Sequence, residues 1–217
     1  MAKVFACIDN TTLGTADTMA SVDAFCRKTR SMAMNVAGVC VYPRFVNTAA
    51  TVLKGSGIRV VSVASDFPHG QSSLATKLED VKALVSAGAD EVDVVINRGL
   101  VLEGRRDEAV EEIRRQKSLL EGRMLKVILE ICELPTRELI EAASQIAIDG
   151  GADFIKTSTG KGSSGATQEA AEIMLNCIKE NVKKGKKPVG FKAAGGIRKP
   201  EEALRYAEMA MQIMGVE

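Results

Sequence analysis

AGADEVDVV (87–95) and GGADFIKTS (150–158) are nearly one phrase written twice, each following a stretch of helical periodicity and opening a short strand-like run. In both, glycine allows a tight helix end, and the next apolar run begins within a few residues. That is the repeat of a βα unit, and it extends outward in both directions. The strand-like runs are VFACIDN (4–10), GVCVYP (38–43), IRVVSVAS (58–65), EVDVVIN (91–97), LKVILEI (125–131), DFIKTST (153–159) and VGFKAAG (189–195). Each is apolar enough for a parallel sheet covered on both faces. Leu, Ile, Ala and Met at helical spacing fill 18–34, 73–87, 107–120, 136–149, 167–184 and 199–214. Strand starts recur roughly every 30 residues, the period of a (β/α) barrel, and the first strand lacks the GxGxxG turn of a doubly wound sheet. The chain reads as α/β, a TIM-type (β/α) barrel, with residues 1–217 as its single domain. A full barrel has eight strands in ~250 residues. After the seventh run only one helix fits before Glu217, so the eighth βα unit is expected to be missing.

Composition narrows the function. Lys+Arg 29 against Asp+Glu 28 leaves a formal charge of +1, and aromatic residues are 4%, so there is neither a basic stripe nor a stacking platform for nucleic acid. No apolar run approaches the ~20 residues that span a bilayer, and the N-terminus lacks the pattern of a secretory signal. The expected location is the cytoplasm, with no membrane or nucleic-acid partner. Cys7, Cys26, Cys40, Cys132 and Cys177 are odd in number, dispersed and without a CxxC pair, which reads as reduced thiols. His69, in DFPHG, is the one histidine and reads as a loop residue, so lysine or carboxylate chemistry is favoured over His-based triads.

Strand alternation then singles out residues. Lys156 shares a face with Phe154, and Lys192 with Gly190, so both lysines can point inward near the C-terminal ends of their strands, where barrel active sites lie. An ammonium in an apolar strand is costly unless paired or used. Two of them disfavour each other's protonation, leaving one as a free amine able to attack a carbonyl; the alternative is that both reach the mouth and bind an anion. Asp93, between Val92 and Val94, faces inward if the valines meet helices, as a proton relay or as an ion-pair partner. Asp9 closes the first strand at the same rim, to orient a substrate hydroxyl or cap a turn. Lys126 and Glu130 share a face and read as a mutual or cross-strand ion pair behind the site. Cys40, beside Tyr42, is expected to line the site as an apolar wall. The loops TSTGKG (157–162) and AAGGIR (193–198), with Lys161 and Arg198, suit a phosphate. Met209, Met211 and Met214 are expected to pack the last helix on the barrel.

The motifs CIDNTTL (7–13), GVCVYPRF (38–45), DFPHG (66–70), GADEVDVVIN (88–97), GADFIKTSTGKG (151–162) and VGFKAAGGIR (189–198), spread over residues 4–217, resemble the deoxyribose-phosphate aldolases, class I Schiff-base aldolases. The resemblance implies a carbon–carbon lyase, independent of metal and of any cofactor, that reversibly cleaves the phosphosugar 2-deoxy-D-ribose 5-phosphate to acetaldehyde and D-glyceraldehyde 3-phosphate. It implies Lys156 as the Schiff-base lysine, Lys192 as the second lysine that lowers its pKa, and Asp93 in the proton relay. Gly160, Lys161, Gly195 and Gly196 match the phosphate-binding loops. The family's eighth strand, with a GASS-like loop that also holds the phosphate, has no counterpart here. An alternative reading is therefore a non-catalytic or impaired phosphosugar-binding relative; retention of both lysines and Asp93 favours the enzyme. An open barrel exposes strand edges, so a homo-oligomer is expected.

Overall fold

The computed structural model describes residues 2–215. Strands β1 (Asp9–Thr11), β2 (Gly38–Val41), β3 (Arg59–Ala64), β4 (Glu91–Val95), β5 (Met124–Ile128), β6 (Phe154–Lys156) and β7 (Gly190–Lys192) form one sheet in chain order, every neighbouring pair parallel. The helices are α1 (Ala2–Phe5), α2 (Met19–Arg30), α3 (Val46–Leu53), α4 (Leu74–Ala87), α5 (Arg98–Leu102), α6 (Arg106–Ser118), α7 (Arg137–Asp149), α8 (Gln168–Lys183) and α9 (Pro200–Met214). This is a TIM-type barrel without its eighth βα unit among the described residues.

The helix starts follow from their caps. The hydroxyls of Thr18, Ser73, Thr136 and Thr167 accept from the backbone N–H of Ser21, Thr76, Leu139 and Ala170, each satisfying a donor that has no partner inside its helix. The repeated Gly-Ala-Asp phrase proves to be a repeated hydrogen-bond pattern. Asp90 N–H donates to Val60 O at 2.8 Å while its carboxylate accepts from Val60 N–H at 2.8 Å. Asp153 does the same to Leu125, at 2.9 and 2.8 Å. Each such aspartate stitches the start of its own strand to the start of the one before, and so fixes the register that positions the strands' other ends.

Alternation along the strands divides the core. Val60, Val92, Val94, Leu125, Val127 and Ile155 pack in the cluster shared with the helices, whereas Cys40, Val61 and Val63 form a second cluster facing the other way, into the barrel. β1 and β7 are the sheet's edges, yet Lys192 Nζ lies 2.6 Å from Asp9 Oδ2, so the sheet is curled until its two edges meet through their side chains.

Two expectations need correction, and one helix adds to the pattern. Residues 4–10 are not one strand: α1 is helical, and β1 begins only at Asp9, paired with Gly38. A short apolar run reads alike for either state, and packing decides; here α1 lies against α9. The segment between β2 and β3 contains α3, in keeping with the strand-then-helix repeat, although its eight residues rich in Val and Thr carry a weak helical signal. In α9 no residue is fully buried and Met211 is 44% exposed, so only Met214 of the three methionines packs against the main core. No helix among the described residues is long and apolar enough to cross a membrane.

Gly190 tests the interior packing, because a Cβ there would run into the Phe154 ring that fills its place. Gly190→Ala should cost about 1–3 kcal/mol in urea unfolding. Adding Phe154→Leu should recover most of that loss; no recovery would contradict this packing.

Candidate active site

Inside the barrel the inward-facing positions carry charge. In cross-strand register, Asp93 on β4 is level with Lys126 on β5, and Lys156 on β6 is level with Lys192 on β7. Asp93 is fully buried, and its carboxylate is divided: Oδ1 accepts from Lys126 Nζ at 2.9 Å and Oδ2 from Lys156 Nζ at 2.6 Å. Lys126 Nζ also lies 2.5 Å from Glu91 Oε2 and 3.4 Å from Asp9 Oδ2. Asp9, its side chain 5% exposed, is in turn 2.6 Å from Lys192 Nζ. At the N-terminal end of the strands, Arg59 Nη1 pairs with Glu91 Oε1.

The charge balance of this ladder is informative. Lys126, Lys156 and Lys192 are matched one for one by Asp9, Glu91 and Asp93, and Arg59, its side chain half-exposed, adds a cation at the solvent end of the ladder. With the buried charges matched, each lysine's hold on its proton depends on which carboxylates it touches. Lys126 is held charged: burial opposes its ammonium, but Asp93, Asp9 and Glu91 together hold its pKa well above the ordinary value. Asp93 is the converse, since burial alone would raise its pKa whereas Lys126, then Lys156 and Lys192, hold the carboxyl well below the usual range. Asp9 is also lowered, burial being outweighed by Lys192 and Lys126.

The expected depression of Lys156 by Lys192 is not how the resting charges are laid out. Burial does work against the Lys156 ammonium, but Asp93 outweighs it and the pKa is raised; the like charge pulling the other way is Lys126. Lys192 spends its charge on Asp9 instead. The Lys126–Glu130 pair does not form either, although the cross-strand alternative for Lys126 does. Glu130 lies past the end of β5 with φ 56°, and its carboxylate accepts from the backbone N–H of Thr159 at 3.3 Å and from the Thr159 hydroxyl, holding the loop after β6. Glu91 was not singled out from the sequence, although its parity with Asp93 in EVDVV was there to be read.

Of the remaining candidates, Cys40 is buried with Val61, Val63, Leu13, Tyr42 and Phe67, and burial pushes its thiol up to about 12, which suits a wall and not a nucleophile. Asp9 turns its carboxylate to Lys192 and Lys126. His69 is exposed in the turn after β3. Gly160, Gly195 and Gly196 all take positive φ, and a Cβ on Gly160 would lie 3.8 Å from Gly195 Cα, so the two glycine loops are adjacent. Thr157 Oγ1 locks them by donating to Ala194 O and accepting from Ala194 N–H, both at 3.0 Å. Lys161 Nζ reaches Leu13 O at 2.7 Å, across to the loop after β1. A cavity of about 180 Å³ is lined by Gly195 and Gly196 together with Gln168, Arg205 and Tyr206. Among the described residues no three His, Cys, Asp or Glu side chains converge as a metal site would require; here the carboxylates converge on ammonium groups.

A family model described as "DeoC/LacD family aldolase" matches residues 3–216. A candidate deoxyribose-phosphate aldolase from Coccidioides immitis superposes with a TM-score of 0.88 at 30% identity, covering 96% of this chain and 79% of its own. An aldolase designated QR15 gives 0.86 at 31%, covering 96% and 89%. The deoxyribose phosphate aldolase of Aeropyrum pernix, a tetramer, gives 0.83 at 25%, covering 96% and 84%.

The Asp93 contacts predict a pH signature. A carboxyl whose folded pKa is depressed contributes stability that is full above its unfolded value, about 3.9, and is lost as pH falls through the folded value. Asp93→Asn should therefore cost about 3–5 kcal/mol at pH 7, as when one partner of a buried pair is removed. Urea titrations should show that gap closing as pH drops below about 4. A gap unchanged down to about pH 2 would mean that Asp93 is not the charged partner.

Proposed function

The chain belongs to the DeoC/LacD family of aldolases, and on that premise we propose that it reversibly cleaves 2-deoxy-D-ribose 5-phosphate to acetaldehyde and D-glyceraldehyde 3-phosphate through a Schiff base on Lys156. The observation that carries this reading is the buried Lys156 amine at the C-terminal end of β6, 2.6 Å from the Asp93 carboxylate, with the second lysine, Lys192, level with it on β7.

In this reading the neutral Lys156 amine adds to the C1 aldehyde of the open-chain sugar, and a proton from the Lys192 ammonium lets the carbinolamine hydroxyl leave as water, giving a protonated imine. The iminium carries the same charge as the ammonium it replaces, so Asp93 stabilises both. Removal of the C3 hydroxyl proton drives cleavage of the C2–C3 bond, whose electrons pass into the iminium to form an enamine, and glyceraldehyde 3-phosphate departs. Protonation of the enamine at C2 and hydrolysis of the imine release acetaldehyde and restore the lysine. A carboxyl as acidic as Asp93 stores no proton at rest. Its part is to pass the C3 proton among the amines beside it, with Lys192 as the second lysine of the relay. The electron sink is the iminium, so the scheme calls for no metal.

Gly160, Lys161, Gly195 and Gly196 are assigned to the phosphate: adjacent loops in left-handed conformations present backbone N–H groups, and Lys161 supplies a charge. Association into oligomers is supported by the tetrameric relative; light scattering should give a mass above that of one chain.

Incubation with deoxyribose 5-phosphate and borohydride should trap the sugar-derived fragment on the peptide containing Lys156. Label on Lys192 would reassign the nucleophile, and no label on any lysine would end the Schiff-base reading. Asp93→Asn, assayed on its folded fraction, should slow cleavage by roughly 10²–10⁴-fold, the usual share of general acid–base catalysis; full activity in that fraction would leave Asp93 a structural partner only.

A further inference from the structure

The relay so far accounts for Lys156, Asp93, Lys192 and Asp9. It leaves unexplained why a third carboxylate and an arginine lie at the barrel floor. Glu91, its side chain 4% exposed, divides its oxygens between Arg59 Nη1 and Lys126 Nζ, the latter at 2.5 Å. Asp93 divides its own between Lys126 and Lys156. The result is a path, Arg59–Glu91–Lys126–Asp93–Lys156, across β3, β4, β5 and β6, with a side branch from Lys126 to Asp9. It begins at a guanidinium side chain 48% exposed to solvent and ends at the proposed nucleophile.

Neutralising Lys126 does not require Glu91, because Asp93 and Asp9 already face that ammonium. Arg59 and Glu91 together add no net charge. What they add is direction: a pair with its negative end towards Lys126 draws that ammonium to the floor, where it competes less for the Asp93 oxygen bonded to Lys156. We propose that Glu91, clamped by Arg59, is a positioning residue that sets, through Lys126, how tightly Asp93 holds Lys156. The proposal rests on the Schiff-base reading above.

Its consequence is a pair of opposite charge effects. The groups facing Lys156 are Asp93 from β4, Lys126 from β5 and Cys40 from β2, with Lys192 and Asp9 one contact further on. Those facing Arg59 are Glu91, Asp9 and Asp90, with Met124 Sδ at 3.6 Å. Glu91→Gln removes a negative charge: Lys126 then leans on Asp93, Asp93 holds the Lys156 ammonium less, and the free amine appears at lower pH. Arg59→Gln leaves Glu91 without its cation, making the interior more negative and keeping Lys156 protonated to higher pH. Simple loosening of the floor would lower the rate and could not produce opposite signs.

The test is the pH dependence of kcat/KM for deoxyribose 5-phosphate in wild type, Glu91→Gln, Arg59→Gln and the charge-retaining Glu91→Asp, with borohydride trapping on Lys156 followed over the same range. The acid limb should move to lower pH in Glu91→Gln and to higher pH in Arg59→Gln, the two separating by about half a unit or more. Glu91→Asp should return it towards wild type. Should Glu91→Gln fail to fold, Arg59→Gln, changed at a half-exposed side chain, decides alone. If the wild type cleaves the sugar and traps an imine while the limbs coincide or move together, this inference is overturned and the proposed function stands. If the wild type neither cleaves nor traps, both fall.

Discussion

Everything in the barrel interior is arranged around one carboxylate shared by two ammonium groups. Asp93 has no access to solvent, so its charge is tolerable only with cations in contact, and it has one on each oxygen. Those cations are themselves buried and need further anions, which brings in Asp9 and Glu91, and through them Lys192 and Arg59. A polar interior of this kind is less stabilising than an apolar one of equal volume. Its retention in a barrel otherwise lined by Cys40, Val61 and Val63 fits chemistry better than packing.

The scaffold's task is to bring side chains from six different strands to within ion-pair distance. Asp90 and Asp153 accomplish part of this at the far end of the sheet, where each ties its strand to the preceding one through two hydrogen bonds. A slip of one residue would turn every inward charge towards the helices. The same phrase that reveals the repeat in the sequence is thus the device that holds the register of the site.

Legibility in the sequence followed periodicity. Long alternations of apolar run and amphipathic stretch placed β2 to β7 and the longer helices, because burial between sheet and helix imposes a pattern that local reading can detect. Inward parity likewise pointed to Lys156, Lys192 and Asp93. The first strand begins later than its pattern suggests because the five apolar residues 4–8 serve equally as the end of a helix and the start of a strand. Who pairs with whom was less accessible. Lys126 and Glu130 are four apart and would share a face in a continuous strand, but β5 stops at Ile128 and the positive φ of Glu130 turns its carboxylate towards Thr159. Lys192 and Lys156 are neighbours in register, yet the first takes Asp9 and the second Asp93, a division set by the curl of the sheet.

The meeting of the first and seventh strands also bears on how the molecule acquires its site. Lys161 and Leu13, which bond across the mouth, are 148 residues apart in the chain, and Asp9 finds Lys192 only when almost every intervening unit is in place. Closing so long a loop is entropically slow and brings its reward last. Until then the lysines of the interior stay hydrated, since drying them without their carboxylates would be prohibitive. Dehydration of the site and the docking of β1 should therefore be a single late event: a partly folded chain could have most of its βα units formed and still hold no reactive amine.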